Sequence, residues 1–300
     1  MTMLALAAID TTEIKTLTTY GRVNAFDILQ RNKVDWRVEK RPIYLGSGEV
    51  VPNHFATVRT DTGRSLGIVG NRYHIFQNGE GLDLMDHAAQ QGLIEYGNAG
   101  TFKGGRIVWM QAKLGTFSIG PDEIAQFLLL ATAHDGSGKT RILFTPTRVA
   151  CLNTLMQALR AEAGMAISHT RSADEKVKLA HVAIANARRY YTEFEQAANV
   201  LYRRQMTYSA ARAYVENVFP SEGKPSARLE GVRGRVIDLF ENGKGHFAIR
   251  GTAWAAYNAV AEYTDHFRAT RGDEINRLES AWLGSGAQVK RRAFELAIAA

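Results

Sequence analysis

From Val177 to Leu201 apolar residues recur at intervals of 3, 4, 3, 4, 3, 4 and 3: Val177, Ala180, Ile184, Ala187, Tyr191, Phe194, Ala198 and Leu201. Only a helix lines up such a series on one side, because 3.5 residues is close to its turn and far from the two-residue period of a strand. Just before it, Ser172-Ala173-Asp174-Glu175 has the form of a capping box, a serine followed three residues later by glutamate. The chain must therefore hold a long helix with an apolar stripe, and that stripe needs a partner. The partner is a sheet or helix of the same chain, or a second protomer.

The sequence before this helix reads as strands and turns. Val34–Val38 and Ile43–Leu45 flank Pro42, Phe55–Arg59 alternates, and Asp61-Thr62-Gly63 turns the chain into Ser65–Val69. Gly79–Gln91 has helical spacing. Leu93–Tyr96 and Arg106–Leu114 predict one hairpin, across 97–100 and 104–105. Ala125–Ala133 and Arg141–Thr145 predict a second, across His134–Thr140. Thr145-Pro146 reads as the start of a helix over Thr147–Glu162, and Met165–Ile167 as a short returning strand. After Leu201 the pattern is helical, broken at Ser221–Pro225 and Gly243–Gly245. A helix is expected over Thr252–Arg268, and a basic tail, Lys290-Arg291-Arg292, after Gly284-Ser285-Gly286. The expected class is α+β: an antiparallel β-hairpin sheet backed by helices, followed by a helical C-terminal region. The expected organisation is a mixed body over residues 1–205 and a helical region over 206–300.

Charge narrows the partner. The net charge is +7, from 37 basic and 30 acidic residues. Residues 1–100 sum to −1, and residues 101–200 and 201–300 to +4 each. The window 141–250 holds 17 basic and 10 acidic residues, and 13 of the 17 are arginine. Arginine presents a planar fork that suits phosphate and stacks on bases. Charge reversals within 141–250 are therefore expected to matter, and those in 1–100 not. The single cysteine, Cys151, excludes an internal disulfide framework and a multi-cysteine metal site. No apolar run reaches the 18–20 residues or so of a membrane span. Met3–Ile9 lacks a basic segment before it and reads poorly as a signal peptide. A cytoplasmic protein with no membrane partner is expected.

Several strings invite a chemical reading. Ala133–Thr140 satisfies the loose pattern of a phosphate-binding loop ending in Lys139, but that loop needs a helix after its lysine. Arg141–Thr145 reads as a strand, and Asp135-Gly136 as a hairpin turn. The eight histidines show no metal-ligand spacing. Cys151, on a stripe with Leu155 and Leu159, reads as a core thiol. No catalytic residue, cofactor or metal is assigned. Arg148, Asn153, His169 and Arg171 lie near two expected helix starts, where free amides and arginine suit an anion. Arg188-Arg189-Tyr190-Tyr191 and Tyr202-Arg203-Arg204 interleave arginine with tyrosine, as single-strand binders do. The same strings also fit a helix with Tyr191 inside and arginines outside.

Taken in order, these strings are similar to a known family. Thr60–Gly63, Leu66–Gly70, Arg72-Tyr73, Gly104-Gly105-Arg106, Val108-Trp109, His134–Ser137, Arg148–Thr154, His169-Thr170, Gly251–Trp254, Asn258–Val260 and Glu262–His266 resemble the phage- and plasmid-like family catalogued as domain of unknown function 932. The likeness runs over about residues 35–270. It implies a mobile-element protein without assigning an activity. The order of hairpins followed by a long helix is analogous to that of phage single-strand annealing proteins. The leading expectation is a non-enzymatic, homo-oligomeric protein that binds and anneals single-stranded DNA, or binds RNA. Lys139, Arg141, Arg148, Asn153, His169, Arg171, Arg188, Arg189, Arg203 and Arg204 are its candidate contacts. The alternatives are a nucleotide-binding enzyme using the 133–140 loop, and a structural or host-interaction protein.

Overall fold

The structure, a computed structural model, describes residues 25–138, 140–148, 164–167, 173–243, 245–269 and 274–299. In chain order the first half holds α1 (Ala25–Arg31), β1 (Val38–Tyr44), β2 (Val50–Arg59), β3 (Ser65–Gly70), α2 (Glu80–Gln90), β4 (Glu95–Phe102), β5 (Ile107–Ile119), β6 (Asp122–Ala133), β7 (Thr140–Phe144), β8 (Thr147–Arg148) and β9 (Gly164–Ile167). The second half holds α3 (Ala173–Arg203), α4 (Tyr208–Val218), α5 (Ala227–Asn242), α6 (Ala253–Glu262), α7 (Glu274–Leu283) and α8 (Ser285–Ala299). The protein is α+β, with antiparallel sheets in the first half and helices mostly in the second. One sheet has the order β1-β2-β3. The other runs β4-β5-β6-β7-β9, with β8 paired to β6.

The chain forms two compact units. The first takes Met1–Lys113, Leu130–Lys139 and Ser168–Ala180; the second takes Leu114–Leu129, Thr140–Ile167 and His181–Ala300. Strands β5 and β6 pass from one unit into the other, so the division follows the strands rather than a single linker.

In the first unit, Pro42 does not split a strand as the sequence suggests. It lies inside β1, opposite Phe55, and β1 is an edge strand, where a missing amide donor is tolerated. Gly97–Gly100 belong to β4 rather than to the hairpin turn, which falls at Lys103–Gly105. The turn after β6 packs against β3. A Cβ on Gly67 would lie 2.5 Å from the Asp135 Cα, so only glycine fits there. Tyr73 donates its hydroxyl proton to the Ala133 carbonyl at 2.7 Å. His134 is fully buried, its Nε2 2.8 Å from Asn78 Oδ1. Asn78 Nδ2 donates to the carbonyls of Val34 and Trp36. Buried polar groups with partners specify a single arrangement of these loops.

The second unit is built on the apolar stripe of α3. Ile184, Ala187, Tyr191, Phe194, Ala198 and Leu201 are all buried, so from Ile184 onward the stripe packs inside its own chain. The side chains of Val177 and Ala180 lie outside the described residues. The Tyr191 hydroxyl donates to the Phe127 carbonyl at 2.7 Å and accepts from the Phe127 amide at 3.0 Å. Phe117 and Phe144 flank the Tyr191 ring, and Phe194 contacts Trp254 and Phe294.

Helix α6 is buried on every side, the signature of a helix enclosed by others; α4, α5 and α8 pack on it. Several of its polar groups are matched internally, while Asn258 Oδ1 and Glu262 Oε2 are buried without a hydrogen-bond partner among the described residues. Thr252 caps the Ala255 amide, Trp254 Nε1 donates to Asp122 Oδ2 at 2.7 Å, and Asn258 Nδ2 donates to the Trp254 carbonyl. His246 Nε2 and Glu262 Oε2 sit 3.2 Å apart. The helix expected over Thr252–Arg268 changes pitch at Tyr263–Phe267, a π-turn, and Asp265 of that turn pairs with Lys290 at 2.7 Å. Lys290 is therefore no part of a basic tail. It lies within α8 with its side chain completely buried.

Thr147 and Arg148 also depart from expectation. They form β8, paired with Ala125 and Ile124, instead of starting a helix. Thr145, the expected cap, is buried and donates its amide to the Phe127 carbonyl. The rest of the expected helix, including Cys151, lies outside the described residues, as does Ser172 of the capping box. Met165–Ile167 does return as a strand, β9, against β7.

Two stability outcomes follow. Asp265→Ala leaves the Lys290 ammonium buried without its counter-charge, and should cost about 3–5 kcal/mol in urea unfolding. The double variant Asp265→Leu/Lys290→Met should recover most of that loss. Burial, and secondarily the charge of Asp135, push the Tyr73 hydroxyl from its ordinary value near 10 up to about 12. A group whose value is raised on folding contributes its stability below the unfolded value and loses it as pH rises through the folded one. Stability should therefore fall between about pH 10 and 12 more steeply in the wild type than in Tyr73→Phe, as read by denaturant midpoints across that range.

Candidate nucleic-acid interface

The candidate contacts separate once placed on the fold. Lys139, Asn153, His169 and Arg171 lie outside the described residues. Arg148 is placed by its backbone in β8. The other five, Arg141, Arg188, Arg189, Arg203 and Arg204, all belong to the second unit.

Arg141, on β7, is exposed. Its neighbours Thr140 and Ile142 point inward and are buried, as strand alternation requires. On α3 the internal position of Tyr191 fixes the outer face. Arg188, Arg189 and Arg203 are exposed. At about 100° per residue, Arg203 lies roughly 60° around the helix from Arg188, and about 20 Å along it. Arg189 is 3.9 Å from Glu193, an exposed i,i+4 pair of small energetic weight. Among the described residues, Arg141, Arg188 and Arg203 have no carboxylate partner.

Arg204 has a different task. Its guanidinium donates to the carbonyls of Ala297 and Ile298, at 2.6 and 3.4 Å for Nη1. A cation there satisfies the free carbonyls at the end of α8 and complements the helix dipole. It is held by the protein and withdrawn from the outer face.

The tyrosines between the arginines are not open for stacking. Tyr190 and Tyr191 are buried against Phe144 and Phe194. The Tyr202 ring lies against Gly120, where a Cβ would come within 2.4 Å of it. An i, i+3 and i+4 apolar period already places Tyr191 and Phe194 inside, and that period outranks the adjacency of arginine and tyrosine.

The exposed aromatics among the described residues are Phe26, Tyr44, Tyr208, Phe247 and Phe267, and the arginine–tyrosine strings contain none of them. Phe247 is 82% exposed on a 3₁₀ turn, Phe247–Ile249, and the Arg250 guanidinium sits 5.4 Å from its ring centroid. Tyr208, at the start of α4, is also exposed. A bridge between Gln205 and Thr252, with Met206 N donating to the Gly251 carbonyl and Ala253 N to the Arg204 carbonyl, ties these segments together. Arg203 and Tyr208 thus lie on one of the two bridged segments and Phe247 and Arg250 close to the other, all four exposed.

The Ala133–Thr140 string is a turn between strands. Asp135 Oδ1 accepts from the Ser137 amide, and β7 follows where a phosphate loop would need a helix. Among the described residues whose side chains are placed, no three histidine, cysteine, aspartate or glutamate side chains gather as a metal site, and no helix is long and apolar enough to cross a membrane.

No curated protein and no solved structure matches this chain. A family model does, over residues 65–282. That range takes in the strings of both units: Leu66–Gly70, Arg72-Tyr73 and His134–Ser137 around β3 in the first, and Gly251–His266 with its buried polar contacts in the second. The chain belongs to the family described as domain of unknown function DUF932.

Proposed function

We propose that this protein is a non-enzymatic, cytoplasmic nucleic-acid-binding protein of a phage or plasmid, which binds single-stranded DNA and anneals it as a homo-oligomer. The observation that carries the reading is Phe247, 82% exposed with the Arg250 guanidinium 5.4 Å from its ring centroid, on a segment whose backbone is bridged, through Gln205 and Thr252, to the segment that carries Arg203 and Tyr208. Exposed rings next to arginine suit sequence-tolerant stacking of bases, and the outward arginines of α3 and β7 suit the phosphates that link them. RNA offers the same stacking faces and phosphates, and competition between the two strands sets the preference. The resemblance to phage- and plasmid-like proteins supports the mobile-element setting. Because the α3 stripe is spent within the chain from Ile184 onward, an oligomer would have to use another surface.

The test is anisotropy of a labelled single-stranded oligonucleotide titrated with the full chain, at about 50 and 200 mM salt. If several phosphates are contacted, affinity should fall by orders of magnitude across that range. Base stacking is worth about 1–3 kcal/mol per base, so Phe247→Ala should weaken binding by about 5- to 150-fold without shifting the unfolding midpoint. Solution mass with and without the oligonucleotide reads the assembly, and complementary strands read annealing. No binding at the lower salt would sink the proposal.

A further inference from the structure

Arg59 ends β2 and Arg64 precedes β3, on either side of the four-residue turn Thr60–Gly63. The Arg59 amide donates to the Arg64 carbonyl at 3.0 Å, so the two arginines face each other across the hairpin, with Cβ atoms about 5 Å apart. Like charges placed opposite in this way destabilise a hairpin. Both side chains reach the same place, the turn Lys103–Gly105. A Cβ on Gly104 would lie 2.7 Å from Arg64 Nη1, and one on Gly105 would lie 3.1 Å from Arg59 Nη1. Both glycines have positive φ, +67° and +96°, so glycine is required there both for backbone shape and for room.

The cations are unequally compensated. Arg59 is gripped by Asp61, Nε to Oδ1 at 3.0 Å and Nη2 to Oδ2 at 2.7 Å, which leaves Nη1 toward Gly105. Its guanidinium stacks 4.2 Å from the Trp36 ring centroid. Arg64 is exposed and has no carboxylate partner among the described residues. Trp36 is 6% exposed, and its Nε1 donor is buried without an acceptor there. A buried donor left unmatched is uncommon and costly. Lys103 opens the turn and Arg106 follows it in sequence.

We propose that Arg59, Arg64 and the Lys103–Gly105 turn form a binding site for a phosphate group. Two guanidinium forks converge on two successive glycines, which add no side chain of their own, and Asp61 presets one of the forks. A phosphate dianion supplies oxygens for both forks and neutralises the excess charge. All of these residues belong to the first unit, so the site stands or falls independently of the second-unit arginines. It also reverses the expectation that charge in residues 1–100 is without consequence.

The phosphate can be free or carried by a nucleic acid, and the test separates these sources. The full chain is titrated with inorganic phosphate, with an unphosphorylated oligonucleotide and with the same oligonucleotide carrying a 5′-phosphate. Readouts are the unfolding midpoint against chloride at equal ionic strength, and anisotropy for the oligonucleotides. Arg64→Gln, an exposed substitution, should weaken at least one of the three by tenfold or more, and the one it weakens names the source. Gly104→Ala, which drives a methyl group into Arg64, should do the same. The triple variant Arg188→Gln/Arg189→Gln/Arg203→Gln should keep the response to inorganic phosphate or to the 5′-phosphate. Equal affinities in wild type and Arg64→Gln for all three probes, or no response to any of them, overturns the site. That result leaves the oligonucleotide affinity of the triple variant to decide the second-unit reading separately.

Discussion

The Tyr191 hydroxyl is the contact on which the rest of the second unit depends. It satisfies both backbone groups of Phe127 in β6, just beyond the two residues, Ile124 and Ala125, that β8 pairs. The Phe127 amide is thereby matched inside the core, and its carbonyl, which also accepts from the Thr145 amide, takes a second bond. The same bond sets the rotation of α3 against the sheet. Once Tyr191 is inside, Phe194, Ala198 and Leu201 follow it by helical period. Arg188, Arg189 and Arg203 are left on the outside. One buried hydroxyl thus helps decide which side chains the long helix leaves at the surface.

Helix α6 applies the same logic around a central element. A helix enclosed on all sides must match every polar group internally or lose the cost of desolvating it. Thr252, Trp254 and Asn258 meet this in part, with a cap, a bond to Asp122 and a bond back along the helix, while Asn258 Oδ1 and Glu262 Oε2 bear that cost. Asp265 and Lys290 add an ion pair whose cation is completely buried, which confers specificity of packing more than net stability. These residues make up much of the C-terminal string by which the chain resembles its family. In this part of the fold, the string describes an interior and not a binding surface.

The surface chemistry lies elsewhere. In the second unit the proposed contacts are Phe247 with Arg250, and Arg203 and Tyr208 on the segment bridged to theirs. In the first it is the meeting of the Thr60–Gly63 hairpin with the Lys103–Gly105 turn. Both bring arginine next to an aromatic ring, Arg250 on Phe247 and Arg59 on Trp36. The rings differ in accessibility: Phe247 stands out in solvent, whereas Trp36 is buried beneath its arginine. An exposed ring can stack on a base, while a covered one holds its guanidinium in place.

Local period and turn chemistry determined much of this protein from the sequence. The long helix and its buried side, the hairpins on either side of Asp61–Gly63 and His134–Thr140, and the strand after Lys139 were all legible, because each depends on residues close together in the chain. Tertiary structure decided the rest. Pro42 stays in a strand because β1 is an edge, and Thr147 joins β6 because Phe127 and its neighbours offer pairing there. Lys290 turns from an apparent tail residue into a core cation because a π-turn presents Asp265. Arg204 caps a helix 93 residues away, and Arg59 and Arg64 find their glycine turn some 40 residues on. Adjacency in sequence suggested Tyr190 and Tyr191 as stacking partners, yet burial is a property of faces, and faces exist only once the elements have packed.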